Sequence, residues 1–177
     1  SHLLQLSVDP MDPKIVFVTQ FPDAADAARE MAPSGFDLRI VPAKSAEFSE
    51  AIADADDVAA HIEHGGVVVD SREPLRYAGN VEPIDTVAGH IPGAINMPFM
   101  DNLADGQWLD APQLAERFAR LNRDPQTIVY CGSGVTACHN ALAIESAGMR
   151  LPRVFVGSWS GWSSDSGRPV ATGVTAD

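Results

Sequence analysis

Thr127-Ile128-Val129-Tyr130-Cys131-Gly132-Ser133-Gly134-Val135-Thr136 decides how this chain is read. Residues 127–130 are β-favouring and apolar, and residues 137–147 carry a helix-like pattern. Between them lie a cysteine and a run of small residues. A strand that ends in cysteine and turns tightly into a helix points successive backbone N–H groups at one spot, where they stabilise an anion. That anion is a thiolate, a persulfide or an oxyanion on the substrate. Gly132 and Gly134 permit both the turn and the close approach of a ligand that side chains would block. A free cysteine at the end of a core strand is commonly just a small buried hydrophobe. A thiol is nucleophilic only as thiolate, however, and a helix N-terminus is one of the settings that favour it, so the placement weighs toward chemistry. This reading expects a sulfhydryl open to incoming substrate. Cys138 falls inside the helix, where packing is the expected role ahead of a resolving thiol.

Outward from this stretch the pattern is α/β. Toward the C-terminus a strand is expected at 153–156, followed by a Trp-rich closing segment. Toward the N-terminus the expected elements are a helix at 112–121, a strand at 94–97, a turn-rich loop through 89–93, a short helix at 74–77 and a strand at 67–70. Asp54-Ala55-Asp56-Asp57 supplies caps and first-turn acids for a helix over about 58–63, closed by Gly65-Gly66. Short apolar strands alternating with helices imply a mostly parallel sheet covered on both faces. Ligands in such sheets gather at the carboxyl ends of the strands, where Cys131 and Asp70-Ser71-Arg72 would both lie.

The first third reads differently. Strands at 14–19 and 36–41 with helices at 24–31 and 47–55 make a small βαβα unit. The expected division is a tail at 1–13, with Ser1-His2 as residues left by cloning, an N-terminal extension at 14–55, a main domain at 56–173 and a tail at 174–177.

The 177 residues carry a net charge of −12 and are 45% hydrophobic. An acidic surface argues against nonspecific nucleic-acid binding, and no apolar run is long enough to span a bilayer. Two cysteines, one in a nucleophile-like loop, fit a reducing compartment better than a disulfide scaffold, so a cytoplasmic location is expected.

Five segments then appear in order: Val69-Asp70-Ser71-Arg72; Arg76-Tyr77-Ala78-Gly79; Gly89-His90-Ile91-Pro92-Gly93-Ala94-Ile95-Asn96-Met97-Pro98-Phe99; Cys131 to Cys138; and Gly157-Ser158-Trp159-Ser160-Gly161-Trp162. Together they resemble the rhodanese-like sulfurtransferases, and within them the catalytic, C-terminal domain of the two-domain thiosulfate and 3-mercaptopyruvate enzymes, over roughly residues 55–173. The resemblance implies a rhodanese-like three-layer α/β domain with a mostly parallel central sheet. It also implies that Cys131 accepts a sulfane sulfur, becomes a persulfide and hands the sulfur to cyanide, a thiol or a thioredoxin-like reductant. This is covalent catalysis with ping-pong kinetics and no cofactor. The uncharged Gly132-Ser133-Gly134 looks like the mercaptopyruvate type of loop, since thiosulfate-preferring members tend to carry basic residues there. A persulfide carrier or a regulatory binding module with little turnover is the alternative.

The same resemblance places Arg76 on the donor's carboxylate or sulfonate, a role that suits a permanently charged, forked guanidinium. Its ordinary alternative is a surface arginine or a partner for Glu73 or Glu82. The amides of Gly132, Ser133, Gly134, Val135 and Thr136 would line the anion site. Ser133 and Thr136 either donate hydrogen bonds to sulfur or substrate, or satisfy the loop backbone and cap the helix; for Thr136 capping is preferred. Asp70 and Arg72 read as a buried structural ion pair or as bonded to loop backbone, His90 as a turn histidine bonded to backbone ahead of a general base, and Trp159 with Trp162 as core packing that also walls the pocket.

Departures are visible too. Many mercaptopyruvate enzymes carry a second arginine before the Gly-His-Ile-Pro-Gly run, whereas Glu82-Pro83-Ile84-Asp85-Thr86-Val87-Ala88 has no basic residue. Val156 and Gly161 stand where relatives often carry acids. Two-domain members have an inactive rhodanese-like domain ahead of the catalytic one, and residues 1–55 are expected to be too short to form it; residues 14–55 are instead similar to the opening of the D-2-hydroxyacid dehydrogenase substrate domain, without a dinucleotide fingerprint. A cysteine phosphatase needs arginine where Ala137 stands. Cys131, Cys138 and His139 lack the spacing of a structural zinc site, so no metal is expected.

Overall fold

The computed structural model describes the backbone of residues 3–9, 12–19 and 37–42, and residues 51–174 in full. The helix expected at 24–31 lies outside the described residues, as do residues 47–50 of the one at 47–55. Two compact units meet in the sequence between Ile52 and Ala53. In the first, β1 (Leu3–Asp9) pairs antiparallel with β2 (Asp12–Thr19), and β2 pairs in parallel with β3 (Asp37–Pro42). The sequence pattern expects a tail at 1–13, whereas residues 3–9 form β1. Leu4, Leu6 and Val8 alternate with polar Gln5 and Ser7, a period-two pattern that suits a strand with two unlike faces.

The second unit holds a five-stranded sheet in the order β4 (Ile52–Ala53), β10 (Arg153–Phe155), β9 (Ile128–Tyr130), β5 (Val68–Asp70), β6 (Ile95–Asn96). The pairs β10–β9, β9–β5 and β5–β6 are parallel. Ile52 and Ala53 were expected at the end of a helix, but the chain is extended there: Ala53 is buried, and Asp54 immediately opens the next helix. That helix, α1 (Ala55–Glu63), begins with a capping box in which the Asp57 amide donates to Asp54 Oδ1 at 2.8 Å and the Asp54 amide to Asp57 Oδ2 at 3.1 Å. A cap of this kind stabilises a helix by about 1 kcal/mol.

Side chains of the central strands alternate between two cores. Val69 and Val129 pack with Leu114, Phe118, Ala137, Ala141 and Ile144 from α3 (Ala111–Phe118) and α4 (Val135–Ser146). Val68, Ile128 and Tyr130 pack on the other face with Val58 of α1 and with Trp159 and Trp162 of α5 (Ser158–Ser163). The domain therefore has three layers, helices on both sides of a parallel sheet, because strands buried on both faces need apolar residues at every position. Short elements join these: α2 (Pro74–Tyr77), after β5, 3-10 turns at Phe99–Asn102 and Ala119–Arg123, and a hairpin of β7 (Leu103–Ala104) and β8 (Gln107–Trp108) that the sequence pattern did not suggest.

Candidate active site

β5 and β9 are neighbours, so the residues after each strand meet at the carboxyl edge of the sheet. The Ser71 amide donates to Tyr130 O at 2.8 Å, which sets Asp70-Ser71-Arg72 beside Cys131. From Cys131 the chain turns through Gly134, whose φ of +93° lies in the left-handed region that favours glycine. A Cβ there would also come within 3.1 Å of Val156 O. The turn brings the Gly134 amide to 3.1 Å from Cys131 Sγ as a donor. Gly134 is also the cap of α4 and has no side chain to offer, so the helix starts at Val135 and Thr136 lies inside its first turn. Thr136 therefore does not cap the helix. At this helix start the Gly134 amide meets the sulfur, in place of a capping side-chain oxygen. Ser133 is exposed, at the crest of the loop.

α5 braces this cradle from behind. Trp159 N–H donates to Cys131 O at 2.9 Å and Ser160 N–H to Gly132 O at 3.0 Å. Ser158, at a φ of +51°, accepts the Cys131 amide on its hydroxyl at 3.1 Å, donates to Phe155 O at 2.9 Å, and stands 4.0 Å from the Cys131 sulfur. Nothing in its sequence position announces this role. The cost of so tight a seat is access: Cys131 is only 2% exposed, where the sequence reading expected an open sulfhydryl. Cys138, one turn into α4, donates its thiol to Gly134 O at 3.3 Å, and burial pushes that thiol up to about 11.

The positive charges come from two arginines. Arg72 and Asp70 form a buried pair, with Nη2 to Oδ2 at 2.6 Å and Nε at 3.1 Å from both carboxylate oxygens. The Arg72 guanidinium also donates to Gly89 O at 2.7 Å and lies 4.9 Å from the Trp159 ring centroid, so packing and charge both fix it. Arg76 instead reaches the cysteine loop: a Cβ on Gly132 would be 3.4 Å from each of its Nη atoms. Glu82 joins the two arginines, accepting from Arg76 Nη2 at 2.7 Å and from Arg72 Nη1 at 3.2 Å. Burial raises the Glu82 carboxyl, but hydrogen bonds from Arg76, Asp85 and Ile84 outweigh it and hold the pKa below the usual carboxylate value. Arg76 is thus both partner of Glu82 and neighbour of the nucleophile. Asp85 Oδ2 lies 3.8 Å from Arg76 Nη2.

His90 is buried against Tyr77, its ring stacked at 3.8 Å between centroids and its Nδ1 2.8 Å from Tyr77 O. Burial lowers its pKa. It ties the loop after α2 to the C-terminal segment through a backbone bridge to Ala171. Trp159 and Trp162 are core residues whose indole N–H groups donate to Val87 O and Pro169 O. Under the sulfur site a buried amide, Asn140, donates to Ser71 Oγ and Met97 O and accepts from Asn102, linking α4 to the ends of β5 and β6. No cluster of groups suited to a metal ion occurs among the described residues.

The family model for a rhodanese-like domain matches residues 54–165. The probable 3-mercaptopyruvate sulfurtransferase of Pseudomonas aeruginosa is 53% identical over 113 residues, 62% of this chain and 40% of that protein. A putative thiosulfate sulfurtransferase of Mycobacterium tuberculosis is 46% identical over 113 residues, 62% and 39% of the respective lengths. The chain thus spans about two fifths of the curated relatives it matches. Among solved structures, the anaerobic ergothioneine biosynthesis enzyme from Chlorobium limicola superposes with a TM-score of 0.67 at 21% identity, over 78% of this chain and 42% of that one, a likeness of fold.

Proposed function

The chain belongs to the rhodanese-like domain family, and on that premise we propose that it is a sulfurtransferase in which Cys131 carries the sulfur. With 3-mercaptopyruvate as donor, the Cys131 sulfur bonds to the donor's sulfur, the donor's C–S bond breaks, and pyruvate leaves after its carbanion takes a proton. Thiosulfate loads the same residue with loss of sulfite. A thiol or cyanide then takes the outer sulfur and restores the cysteine. A thioredoxin-like protein is the natural macromolecular thiol for this step, in a reducing compartment such as the cytoplasm.

The observation that carries the reading is the Gly134 amide 3.1 Å from Cys131 Sγ at a helix start without a side-chain cap bond, with the Arg76 guanidinium over the same loop. The amide stabilises negative charge on the sulfur or persulfide, and Arg76 orients the donor's anionic end. The uncharged Gly132-Ser133-Gly134 favours 3-mercaptopyruvate over thiosulfate. The near-complete burial of Cys131 supports a second reading, a persulfide carrier that loads slowly. Steady-state turnover with each donor and excess thiol or cyanide separates the two: an enzyme turns over many times, whereas a carrier takes one sulfur and stalls.

A further inference from the structure

Parallel strands send the chain out at one edge of the sheet, and that edge gathers the exposed apolar side chains. β6 and β9 both run parallel to β5, and the segments that leave these strands carry Leu75, Val81 and Ile84 after β5, Met100 and Trp108 after β6, and Val135 after β9. These are six of the eight large apolar side chains exposed among the described residues, and none of the eight stands on α1, α3 or α5. The segment holding the other two is tied to the same loops, with Ala171 bridged to His90 and the Gly173 amide donating to Ala78 O at 2.8 Å. Two of the six adjoin the nucleophile's surroundings. The Ile84 amide donates at 3.2 Å to the Glu82 oxygen that holds Arg76, whose guanidinium lies over Gly132. Val135 follows the glycine whose amide meets Cys131 Sγ. Ile84 is 72% exposed and Val135 74%, too open to serve the core. Apolar surface collected in one place on a folded protein marks a docking face.

Charge narrows the occupant. From Glu73 to Asp110 the chain has one arginine, Arg76, against Glu73, Glu82, Asp85, Asp101, Asp105 and Asp110. Arg76 is already paired with Glu82, whereas Glu73, Asp101, Asp105 and Asp110 are exposed. A second copy of a chain with net charge −12 would bring like charge onto like. Resting on the sulfurtransferase reading, we propose that this apolar, acid-rimmed edge is the docking face for a protein acceptor whose reactive thiol stands among apolar and basic side chains. The burial of Cys131, 2% exposed, gives the face its use: a small thiol has nothing to hold it there, whereas a seated protein keeps its thiol at the loop. The transfer balances without an oxidant or reductant. The acceptor sulfur bonds to the outer sulfur of the Cys131 persulfide, the persulfide's S–S bond breaks, Cys131 takes the proton that the acceptor thiol gives up, and the acceptor leaves as a hydropersulfide.

The test uses three synthetic peptides with one central cysteine: the first flanked by leucines and lysines, the second with glutamates in place of the lysines, the third with serines in place of the leucines. The full chain is loaded from 3-mercaptopyruvate or thiosulfate, and its unloading is followed by mass, with cyanide as the small reference acceptor. Each peptide's rate is divided by its own rate with glutathione disulfide, which removes differences in thiol acidity. The leucine and lysine peptide should unload the chain with a kcat/KM about tenfold above either of the others, and its lead over the glutamate peptide should shrink as salt is raised. Leu75→Ser, Ile84→Ser and Met100→Ser should each cut that rate about fivefold, the loss of one apolar contact, while unloading to cyanide stays within about twofold of the wild type. All three side chains are exposed, so the substitutions leave the core untouched. Equal rates for the three peptides, or a lead that survives every substitution, overturns the docking face, as does a dimer that Ile84→Ser dissociates, which would seat a second copy there. In each of those cases loading from a donor and unloading to cyanide leave the sulfurtransferase reading standing. Absence of loading from both donors overturns both.

Discussion

Arg76 reaches the cysteine loop already held by Glu82, its Nη2 2.7 Å from the carboxylate Oε1, and the same carboxylate holds Arg72 Nη1 at 3.2 Å. A single acid thus aligns the cation beside the nucleophile with the cation in the core. Glu82→Gln keeps the shape but removes the charge. It should raise KM for anionic donors several-fold, because Arg76 loses the anchor that aims it, and cost about 1–3 kcal/mol of stability, because Arg72 is nearly completely buried. Steady-state kinetics and urea unfolding of one variant measure both. A stability loss with KM unchanged would show that Glu82 serves only the core.

Asp70 matters to folding far more than to chemistry. Removing it leaves the Arg72 guanidinium, 1% exposed, without its main counter-charge. Breaking a buried pair from one side costs about 3–5 kcal/mol. Asp70→Ala should therefore lower the urea midpoint sharply or prevent folding, and loss of function should follow loss of structure. A normally folded Asp70→Ala with an unchanged midpoint would contradict the account of this pair.

Cys138 should be inert near neutrality. Its thiol is pushed up to about 11 by burial first and by the neighbouring Cys131 second, so it stays protonated and un-nucleophilic. Cys138→Ala should load sulfur within about twofold of the wild type, a change well under the roughly 1.4 kcal/mol of a tenfold effect. Accumulation of a Cys131–Cys138 disulfide during turnover of the wild type would assign Cys138 the resolving role instead.

One buried imidazole, His90, and one half-buried one, His139, give the fold a pH dependence. Burial lowers the pKa of both His90 and His139. A base with a depressed pKa in the native state binds its proton more readily once unfolded, so its contribution to stability is present above the unfolded value of about 6.5 and is lost as pH falls below it. Unfolding free energy should therefore decline from pH 7 to pH 5, and the slope should shrink in His90→Gln. Stability that is flat or rises over that interval would show that these histidines are charged in the native state.

Much of this was legible in the residues because each element carries a local signal. The run at 127–137 announces strand, turn and helix by composition alone, and Asp54 with Asp57 announces the start of α1. The Asp70–Arg72 pair could be anticipated from its place at a strand end. What stayed hidden depends on distance through space. Ser158 braces Cys131 from 27 residues away, and Asn140 reaches Ser71 across 69. No periodicity encodes such contacts. Thr136 was assigned to capping because threonine commonly caps, but a left-handed glycine had already begun the helix. The burial of Cys131 depends on distance in the same way: a nucleophile loop read as sequence has no roof, and here α4 packs on the cysteine and the start of α5 bonds its carbonyl.

Sulfur transfer by this chain depends on Cys131, and intact mass after incubation with 3-mercaptopyruvate or thiosulfate tests that directly. The wild type should gain the mass of one sulfur, lose it again on adding cyanide or a thiol, and show neither change in Cys131→Ser. An adduct that persists in the variant, or its absence from the wild type, would contradict the claim.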